Sequence, residues 1–418
     1  MGGLSGKKVA FDGVLDAIYA SFMSQKNLVA GKLDKDIRDP SLLVALAKKL
    51  DLIPQKQRII RVTGSKGKGT TSRMIAQILR KETDAKVGLF VSPEEFDHND
   101  RMRINGKFAS KDAFIAHFLK LQPHLQDLQE DLPRGRYLSP MGTFLLIALS
   151  WFKEQKVDYF VLETGRGARY DEVGNLPSHV SVLTSILLEH PGYLGPDLKD
   201  IADNKLAIGL TSDLLVMDEN CREWNDHLGV IAADKIQLPE SVAKDKGMPA
   251  WFAQNQALAM RAAELFLERK IVQSHDLRAM SAAFGVLQGE RGERLYFDAC
   301  IAPQSLDVAF FQTLRTNGKI IAIASLPDDK DGDGLRSLVA QDLQCSFYEL
   351  TLSGTRGYLH YEQANLAGYH LAELAYDDVD ALRTIQMNLA TEFPDASFYY
   401  LGTQTFIRLV RKAFSAER

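Results

Sequence analysis

The stretch RVTGSKGKGTT at residues 61–71 constrains the fold more than any other part of the chain. An apolar, β-branched run precedes it, which is typical of a buried strand, and SRMIAQILRK follows with apolar residues at helical spacing. Strand, glycine-rich turn and helix in this order predict a phosphate-binding loop, because backbone N–H groups and the positive end of the helix dipole meet at the turn. A glycine-rich turn without a phosphate role is the alternative interpretation.

We expect individual residues of this loop to have different roles in binding a nucleotide. Lys68 provides a point charge, and the hydroxyl of Thr70 is placed to bind Mg²⁺. The spacing differs from the common GxxxxGK[ST], because an extra glycine separates Lys68 from Thr70. The residues predicted to contact the nucleotide here are Gly64, Gly67, Lys68, Gly69, Thr70 and Thr71.

Length and composition exclude several classes of protein. A chain of 418 residues is long enough for two or three domains, and a net charge of −4 gives no reason to expect nucleic acid or an anionic membrane as a partner. No apolar run reaches the roughly 18–20 residues that span a bilayer. The cysteines, Cys221, Cys300 and Cys345, form no CxxC pair, which favours a reducing cytoplasm.

The order of patterns predicts an α/β chain of two domains. Residues 8–58 read as a helical lead-in, with Ser41 as the N-cap of one helix. Apolar runs predict strands at 86–92, 157–164 and 179–190. We therefore predict an N-terminal P-loop ATPase-type domain with a mostly parallel sheet at 1–285, and a smaller Rossmann-like α/β domain at 286–418.

The unusual loop spacing is similar to that of a known family. GSKGKGTT resembles the GTNGKGS loop of folylpolyglutamate synthases, which belong to the Mur ligase superfamily. The later run SPEEFDHNDRMRING resembles the family's SPH followed by ERIRING, which helps bind the folate, although Glu94 stands where the family has His. The resemblance implies substrate contacts at Ser92, Pro93, Arg101, Arg103 and Arg169.

Two further segments resemble the family's magnesium ligands. ETGRGARYD resembles EVGLGGRLD, which implies that Glu163 binds Mg²⁺. TSILLEH resembles TSIGLDH, which implies that His190 is a further ligand beside Thr70, while Glu189 replaces the usual Asp. The alternative interpretations are that Glu163 has a structural role and that His190 is a core residue with its hydrogen bonds satisfied.

DLKDIADNKLAIG resembles the family's TLxxIAxEKAGI, whose lysine is carbamylated in many relatives. The resemblance implies that Lys205 becomes a carbamate able to hold a second Mg²⁺, which requires a pKa low enough to leave free amine. Asn204 replaces the family's usual acid. A solvated helix lysine is the alternative. Catalytic roles are thus predicted for Lys68, His190 and Lys205.

Towards the C-terminus the resemblance continues but weakens. Asn255 matches a family asparagine that approaches the adenine, and Arg291 matches the arginine of a hinge. The family motif DGAHNP is DACIAP here: Asp298 remains, whereas Ile301 and Ala302 replace His and Asn. Asn255, Arg291 and Asp298 complete the predicted ATP contacts.

The resemblance implies ATP-dependent amide formation through an acyl phosphate, with ATP and one or two Mg²⁺ ions. The leading hypothesis is addition of L-glutamate to a folate. The second hypothesis is a ligase that joins a different amino acid or amine to a different carboxylate acceptor. The third hypothesis is a nucleotide-binding protein without ligase activity. We expect a cytoplasmic monomer with small-molecule substrates.

Overall fold

The computed structural model describes residues 10–241, 247–273, 275–328, 330–354, 360–361 and 369–415. The chain divides into two compact units. The first comprises Met1–Val242 and Gln254–Met280, and the second comprises Ala243–Ala253 and Ser281–Arg418. The sequence-based domain limits, 1–285 and 286–418, stay a prediction.

Helices of the first unit begin with the expected helical lead-in. They are α1 (Phe11–Val29), α2 (Asp34–Ile37), α3 (Pro40–Lys49), α4 (Lys68–Glu82), α5 (Lys111–Glu130), α6 (Pro140–Glu154), α7 (Pro191–Leu194), α8 (Leu198–Leu206), α9 (Glu219–Leu228) and α10 (Ala250–Phe266), which starts in residues of the second unit. The predicted N-cap of α3 is wrong. Asp39, not Ser41, caps this helix, because its carboxylate accepts the backbone N–H of Ser41.

Strands of the first unit form one sheet. They are β1 (Ile59–Thr63), β2 (Val87–Phe90), β3 (Met102–Ile104), β4 (Lys107–Phe108), β5 (Tyr159–Glu163), β6 (Ser178–Leu183), β7 (Ser212–Met217) and β8 (Ile236–Gln237). Their order is β4-β3-β2-β5-β1-β6-β7-β8, and neighbours are parallel except in the hairpin pairs β2-β3 and β3-β4. This confirms the predicted mostly parallel sheet.

The centre of this sheet is fully buried, as its apolar runs predict. Ile59, Ile60 and Val62 of β1 have no exposed surface. Arg61 is a charged residue in this otherwise largely apolar strand, and it too is fully buried. It donates to the carbonyl oxygens of Gly174 and Ile208 at 2.6 and 2.7 Å, so the charged group ties β1 to two neighbouring turns.

The strand predicted at 179–190 is shorter than expected. β6 ends at Leu183, although the apolar sequence continues to residue 188. Thr184 turns the chain out of the strand instead, and its hydroxyl donates to the carbonyl oxygen of Lys66 at 2.6 Å. The segment after β6 therefore belongs to the glycine-rich turn that follows β1.

The second unit has its own sheet and core. Its helices are α11 (Val308–Thr316), α12 (Gly332–Arg336, continued by a π-helical segment over Ser337–Asp342), α13 (Val379–Glu392) and α14 (Gln404–Phe414). Its strands are β9 (Phe284–Gln288), β10 (Arg294–Asp298), β11 (Lys319–Ser325), β12 (Ser346–Ser353), β13 (His370–Ala375) and β14 (Ala396–Gly402). The order is β13-β12-β11-β14-β10-β9, and β9 alone is antiparallel to its neighbour. The fold is α/β in both units, as predicted. Within the described ranges, no helix is both long and apolar enough to cross a membrane.

Candidate functional site

The turn between β1 and α4 adopts a conformation that requires glycine. Gly64 and Gly67 have φ angles of +141° and +91°, which side chains disfavour. A Cβ on Gly64 would lie 2.0 Å from the hydroxyl oxygen of Thr184. The glycines therefore let this turn pack directly against the segment that leaves β6.

Contacts with that segment hold the turn in place. The backbone N–H of Ser65 donates to the carbonyl oxygen of Ser185 at 2.9 Å, and the N–H of Lys66 donates to the Ser185 hydroxyl at 2.9 Å. The ammonium of Lys68 donates back to the carbonyl oxygen of Gly64 at 2.7 Å. Hydrogen bonds within the protein thus shape the loop.

Several polar groups at the start of α4 lack partners within the described parts of the chain. Gly67, the N-cap, offers no side-chain acceptor to the first turn of the helix. The hydroxyls of Thr70 and Thr71 and the amide nitrogen of Asn255 are buried, and among the described residues they have no hydrogen-bond partner. Asn255 lies against the loop, since a Cβ on Gly67 would be 2.5 Å from its amide oxygen. Buried polar groups usually have partners, so these atoms indicate a bound polar ligand.

Glu163 lies beside this helix start, at the carboxyl end of β5. Its carboxylate accepts the backbone N–H of Ser92 at 3.1 Å, and a Cβ on Gly69 would be 3.5 Å from the same oxygen. Burial raises the pKa of Glu163 to about 7, although Lys68 and Arg73 act in the opposite direction. The charge of this carboxylate is therefore only partly offset by the protein.

A second buried carboxylate, that of Glu189, pairs with Lys205. The ammonium nitrogen of Lys205 is 2.7 Å from Glu189 Oε1 and donates to the carbonyl oxygen of Arg166 at 2.9 Å. Burial would raise the pKa of Glu189, but Lys205, Lys68 and His190 lower it to about 2. Lys205 has no exposed surface, so the alternative of a solvated helix lysine is wrong.

His190 follows Glu189 at the start of the short helix α7. It adopts a left-handed conformation with φ +48°, and its Nε2 lies 3.8 Å from Glu189 Oε2. Within the described parts of the chain, no group of three or more His, Cys, Asp or Glu side chains could hold a metal ion. A metal at this edge would therefore need further oxygen ligands, such as the Thr70 hydroxyl, water or phosphate.

Comparisons with known proteins agree with this geometry. No protein-family model matches the chain. It is 26% identical over 374 residues to the dihydrofolate synthase/folylpolyglutamate synthase of Escherichia coli, which covers 81% of the chain and 83% of that protein. It is 36% identical over 149 residues to a probable bifunctional folylpolyglutamate synthase/dihydropteroate synthase of Haloferax volcanii, of which the match covers only 17%.

The fold is also shared with a solved folylpolyglutamate synthase from Mycobacterium tuberculosis, complexed with ADP and AMPPCP. The TM-score is 0.72 at 20% identity, over 96% of this chain and 99% of that one. The chain is therefore similar in sequence to folylpolyglutamate synthases and shares their fold. The sequence-based resemblance is thereby confirmed.

Within this family framework, the structure shows what the chain's departures do locally. Asn204, which replaces the family's acid, accepts the backbone N–H groups of Ala168 and Arg169 at 2.9 and 3.3 Å through its amide oxygen. An amide thus shapes the turn after β5 without adding a negative charge. The side chain of Arg169 pairs with Asp203 at 2.8 Å.

The other two predicted substrate arginines, Arg101 and Arg103, are also paired with acids. Arg101 donates to Glu94, the residue that replaces the family's His, at 2.6 and 3.0 Å. Arg103 lies 3.2 Å from Glu95. Pro93 follows a cis peptide bond. The substrate roles of these residues, and of Ser92 and Arg169, stay predictions.

Two predicted nucleotide contacts lie in the second unit. Asp298 ends β10, is fully buried and accepts the Tyr399 hydroxyl at 3.2 Å. Arg291 lies between β9 and β10, where its guanidinium donates to the Thr391 hydroxyl. Their roles in nucleotide binding stay predictions.

Sequence reasoning missed two residues that the structure brings to the site. Arg73 lies on α4, where its guanidinium would be 2.7 Å from a Cβ on Gly69 and its Nε is 2.6 Å from Glu95. The position of this arginine, directly before the buried apolar residues of α4, was the sequence signal that could have identified it. Glu189 is the second, and the sequence analysis names it only as a replacement for Asp. Its position at the end of an apolar run, next to the predicted ligand His190, was the signal that could have marked it as a site residue.

Proposed function

We propose that the protein is an ATP-dependent ligase that forms an amide between a carboxylate acceptor and an amino acid, with L-glutamate and a folate as the leading pair. The observation that supports this most is the uncapped start of α4. The buried hydroxyls of Thr70 and Thr71 have no partner among the described residues. The chain is also similar to the dihydrofolate synthase/folylpolyglutamate synthase of E. coli. The M. tuberculosis neighbour was solved with ADP and AMPPCP.

The residues present fit a magnesium ion. We propose that Thr70, Glu163 and His190 hold it, because a buried hydroxyl without a partner and a carboxylate with a raised pKa both gain from a cation. Bound Mg²⁺ would offset negative charge on the phosphates during transfer. A second Mg²⁺ stays a prediction.

The reaction proceeds in two steps in this proposal. An acceptor carboxylate oxygen attacks the γ-phosphorus of ATP, which releases ADP and forms an acyl phosphate. The amine of the amino acid then attacks the carbonyl carbon, which releases phosphate and a proton. Lys68 lies near both Glu163 and Glu189, and it would balance the charge that gathers on the transferred phosphoryl group.

The carbamate at Lys205 also stays a prediction. Burial lowers the pKa of Lys205, which favours the free amine that carbamylation needs, whereas Glu189 at 2.7 Å favours the ammonium. Carbon-13 NMR with labelled bicarbonate distinguishes the two states. A carbamate carbonyl signal that disappears in Lys205→Met would establish the modification, and its absence in the wild type would exclude it.

The turn after β10 favours a second candidate, a ligase for a different amino acid or a non-folate acceptor. Ile301 and Ala302 replace the family's His and Asn, and their backbone N–H groups donate to the Ser305 hydroxyl at 3.0 and 3.1 Å. The turn is therefore ordered without either polar side chain. If Ile301→His with Ala302→Asn leaves glutamate use unchanged, this turn does not set the choice of amino acid.

The deciding experiment is phosphate release from Mg²⁺-ATP, with and without tetrahydrofolate and each of the twenty amino acids, followed by product mass. A glutamate-dependent gain on the folate supports the leading pair. Release that needs another amino acid or acceptor supports the second candidate. ATP binding without turnover in any mixture overturns both and leaves a nucleotide-binding protein.

We also propose that the ligase works in the cytoplasm, because its cysteines, Cys221, Cys300 and Cys345, are scattered and form no CxxC pair in the sequence. The monomeric state stays a prediction, which sedimentation at working concentration tests.

A further inference from the structure

Arg73 lies on α4, one turn after the glycine-rich loop that follows β1, and its side chain points back towards the start of the helix. Its Nη1 would be 2.7 Å from a Cβ on Gly69, and both carboxylate oxygens of Glu163 would lie within 3.7 Å of the same Cβ. Because position 69 has no side chain, a guanidinium and a carboxylate can both approach the helix start there. Arg73 therefore lies in the candidate site, beside a residue proposed to bind Mg²⁺.

The guanidinium of Arg73 is buried, yet the protein engages only part of it. The residue is 8% exposed, and its Nε lies 2.6 Å from Glu95 Oε1. Among the described residues, Glu95 is the ion-pair partner of Arg73, and neither Nη1 nor Nη2 donates a hydrogen bond to any of them. Each of these two nitrogens carries two N–H donors, so the end of the side chain remains available to an anionic ligand.

The position of Arg73 along the loop indicates which part of a nucleotide it can reach. Asn255 lies at Gly67, since a Cβ there would be 2.5 Å from its amide oxygen. Arg73 instead lies at Gly69, which Thr70 follows in the chain. The Thr70 hydroxyl is buried without a partner among the described residues, and phosphate loops place Mg²⁺ on such a hydroxyl, where the ion bridges the β- and γ-phosphates. Arg73 is therefore at the end of the loop where the terminal phosphate is expected.

We propose that Arg73 is a catalytic residue that binds the terminal phosphate of ATP through Nη1 and Nη2. The inference rests on the proposed ligase function and adds a residue to it. As the acceptor carboxylate oxygen bonds to the γ-phosphorus and the bond to the ADP oxygen breaks, negative charge lies on the three other oxygens of the transferred group. A planar guanidinium offers two parallel donors to these oxygens, whereas the ammonium of Lys68 acts as a point charge. ADP has no terminal phosphate and does not engage Arg73.

The test compares the binding of two nucleotides, so that it does not depend on turnover. Calorimetric titration of the full chain in the presence of Mg²⁺ gives the dissociation constants of ADP and of AMPPCP, an analogue that keeps a third phosphate. Arg73→Gln should weaken AMPPCP binding by roughly tenfold or more, because charged hydrogen bonds to the terminal phosphate are lost. The same variant should change ADP binding by less than about twofold, so the affinity for AMPPCP relative to ADP falls.

Two further variants separate a contact with phosphate from the ion pair and from the loss of charge. Glu95→Gln removes the partner of Arg73 but keeps the guanidinium, so the ratio of the two affinities should stay within about twofold of the wild-type ratio. Arg80→Gln is the matched control. It removes the same charge from the same helix, at its far end, where Arg80 Nη2 donates to Gln77 at 2.8 Å, and it should leave the ratio unchanged.

Each outcome decides the inference. A wild-type ratio in Arg73→Gln overturns it, as does an equal loss of affinity for both nucleotides or failure of the wild type to bind either one. A loss in Glu95→Gln as large as that in Arg73→Gln also overturns it, because the ion pair would then carry the effect. If Arg73→Gln melts below the wild type, Arg73→Lys keeps the charge without the two parallel donors. It should lower the ratio in the same direction, and a wild-type ratio in it overturns the inference. A lowered ratio without phosphate release in any substrate mixture keeps the inference about Arg73 and overturns the proposed function.

Discussion

The ion pair between Lys205 and Glu189 should be a large local contribution to stability. Lys205→Met removes the ammonium and leaves a carboxylate that is only 5% exposed without its closest partner, 2.7 Å away. Removing one member of a buried ion pair typically costs about 3–5 kcal/mol. Lys68 and His190 still lower the pKa of Glu189, so we expect a loss near the lower end, about 3 kcal/mol.

The chain offers a matched control at the same distance. Lys56 and Asp213 are also 2.7 Å apart, but their side chains are 44% and 39% exposed. Lys56→Met should therefore lower the free energy of unfolding by less than about 1 kcal/mol. Urea unfolding followed by circular dichroism compares both variants with the wild type at pH 7.

A third variant separates charge from packing. Lys205→Met with Glu189→Gln removes both charges, and it should recover much of the lost stability because no buried charge is left uncompensated. The reasoning is refuted if Lys205→Met costs no more than Lys56→Met. It is also refuted if the double variant is as unstable as Lys205→Met alone.

Three further predictions concern the loop and its carboxylate. Lys68→Ala should abolish turnover with an unchanged circular dichroism spectrum, because the charge facing the phosphates is lost; near-normal phosphate release would exclude the phosphate-loop assignment. Gly64→Ala should abolish ADP binding in a calorimetric titration, since its Cβ would lie 2.0 Å from Thr184 Oγ1, whereas Gly13→Ala, with nothing within 4 Å, should bind normally. Glu163 has a pKa raised to about 7 by burial, so the folded protein binds an extra proton above the ordinary pKa of glutamate, and its stability should fall as the pH rises to about 7. Glu163→Gln should remove that slope, up to about 3 kcal/mol between pH 5 and 7.5 by urea unfolding, and an equal slope in both proteins would contradict the raised pKa.

The sequence predicted the sheet centre and the loop because their signals are local. β1 and β5 are short apolar runs that end at a glycine-rich turn and at an acid, and both occur where expected. The end of β6 could not be read in this way. Residues 184–188 remain mostly apolar, but the hydroxyls of Thr184 and Ser185 bond to Lys66 in a turn more than a hundred residues earlier.

The site could be predicted only in part, because some of its side chains are placed by ion pairs between residues that are distant in the sequence. The family resemblance implied that Thr70 and Glu163 bind one magnesium ion, and Glu163 does lie beside Gly69 at the start of α4. The sequence could not predict that Lys205 is buried, since this depends on Glu189, whose partner is chosen by the packing of α8 and not by sequence spacing. The contact between Glu94 and Arg101 was likewise not predictable from the sequence.

Two buried carboxylates flank Lys68, yet their surroundings push their pKa values in opposite directions. Glu189 has its own lysine and remains ionised, with a pKa of about 2. Glu163 forms no ion pair with a described residue, and burial raises its pKa to about 7. An incoming divalent cation gains most where negative charge is least compensated, so we expect it to be drawn to Glu163. This carboxylate lies beside Gly69, near the Thr70 hydroxyl that has no partner among the described residues. The pair with Lys205 therefore gives Glu189 a different part in the site, which is to keep a fixed negative charge near Lys68 whether or not a metal is bound.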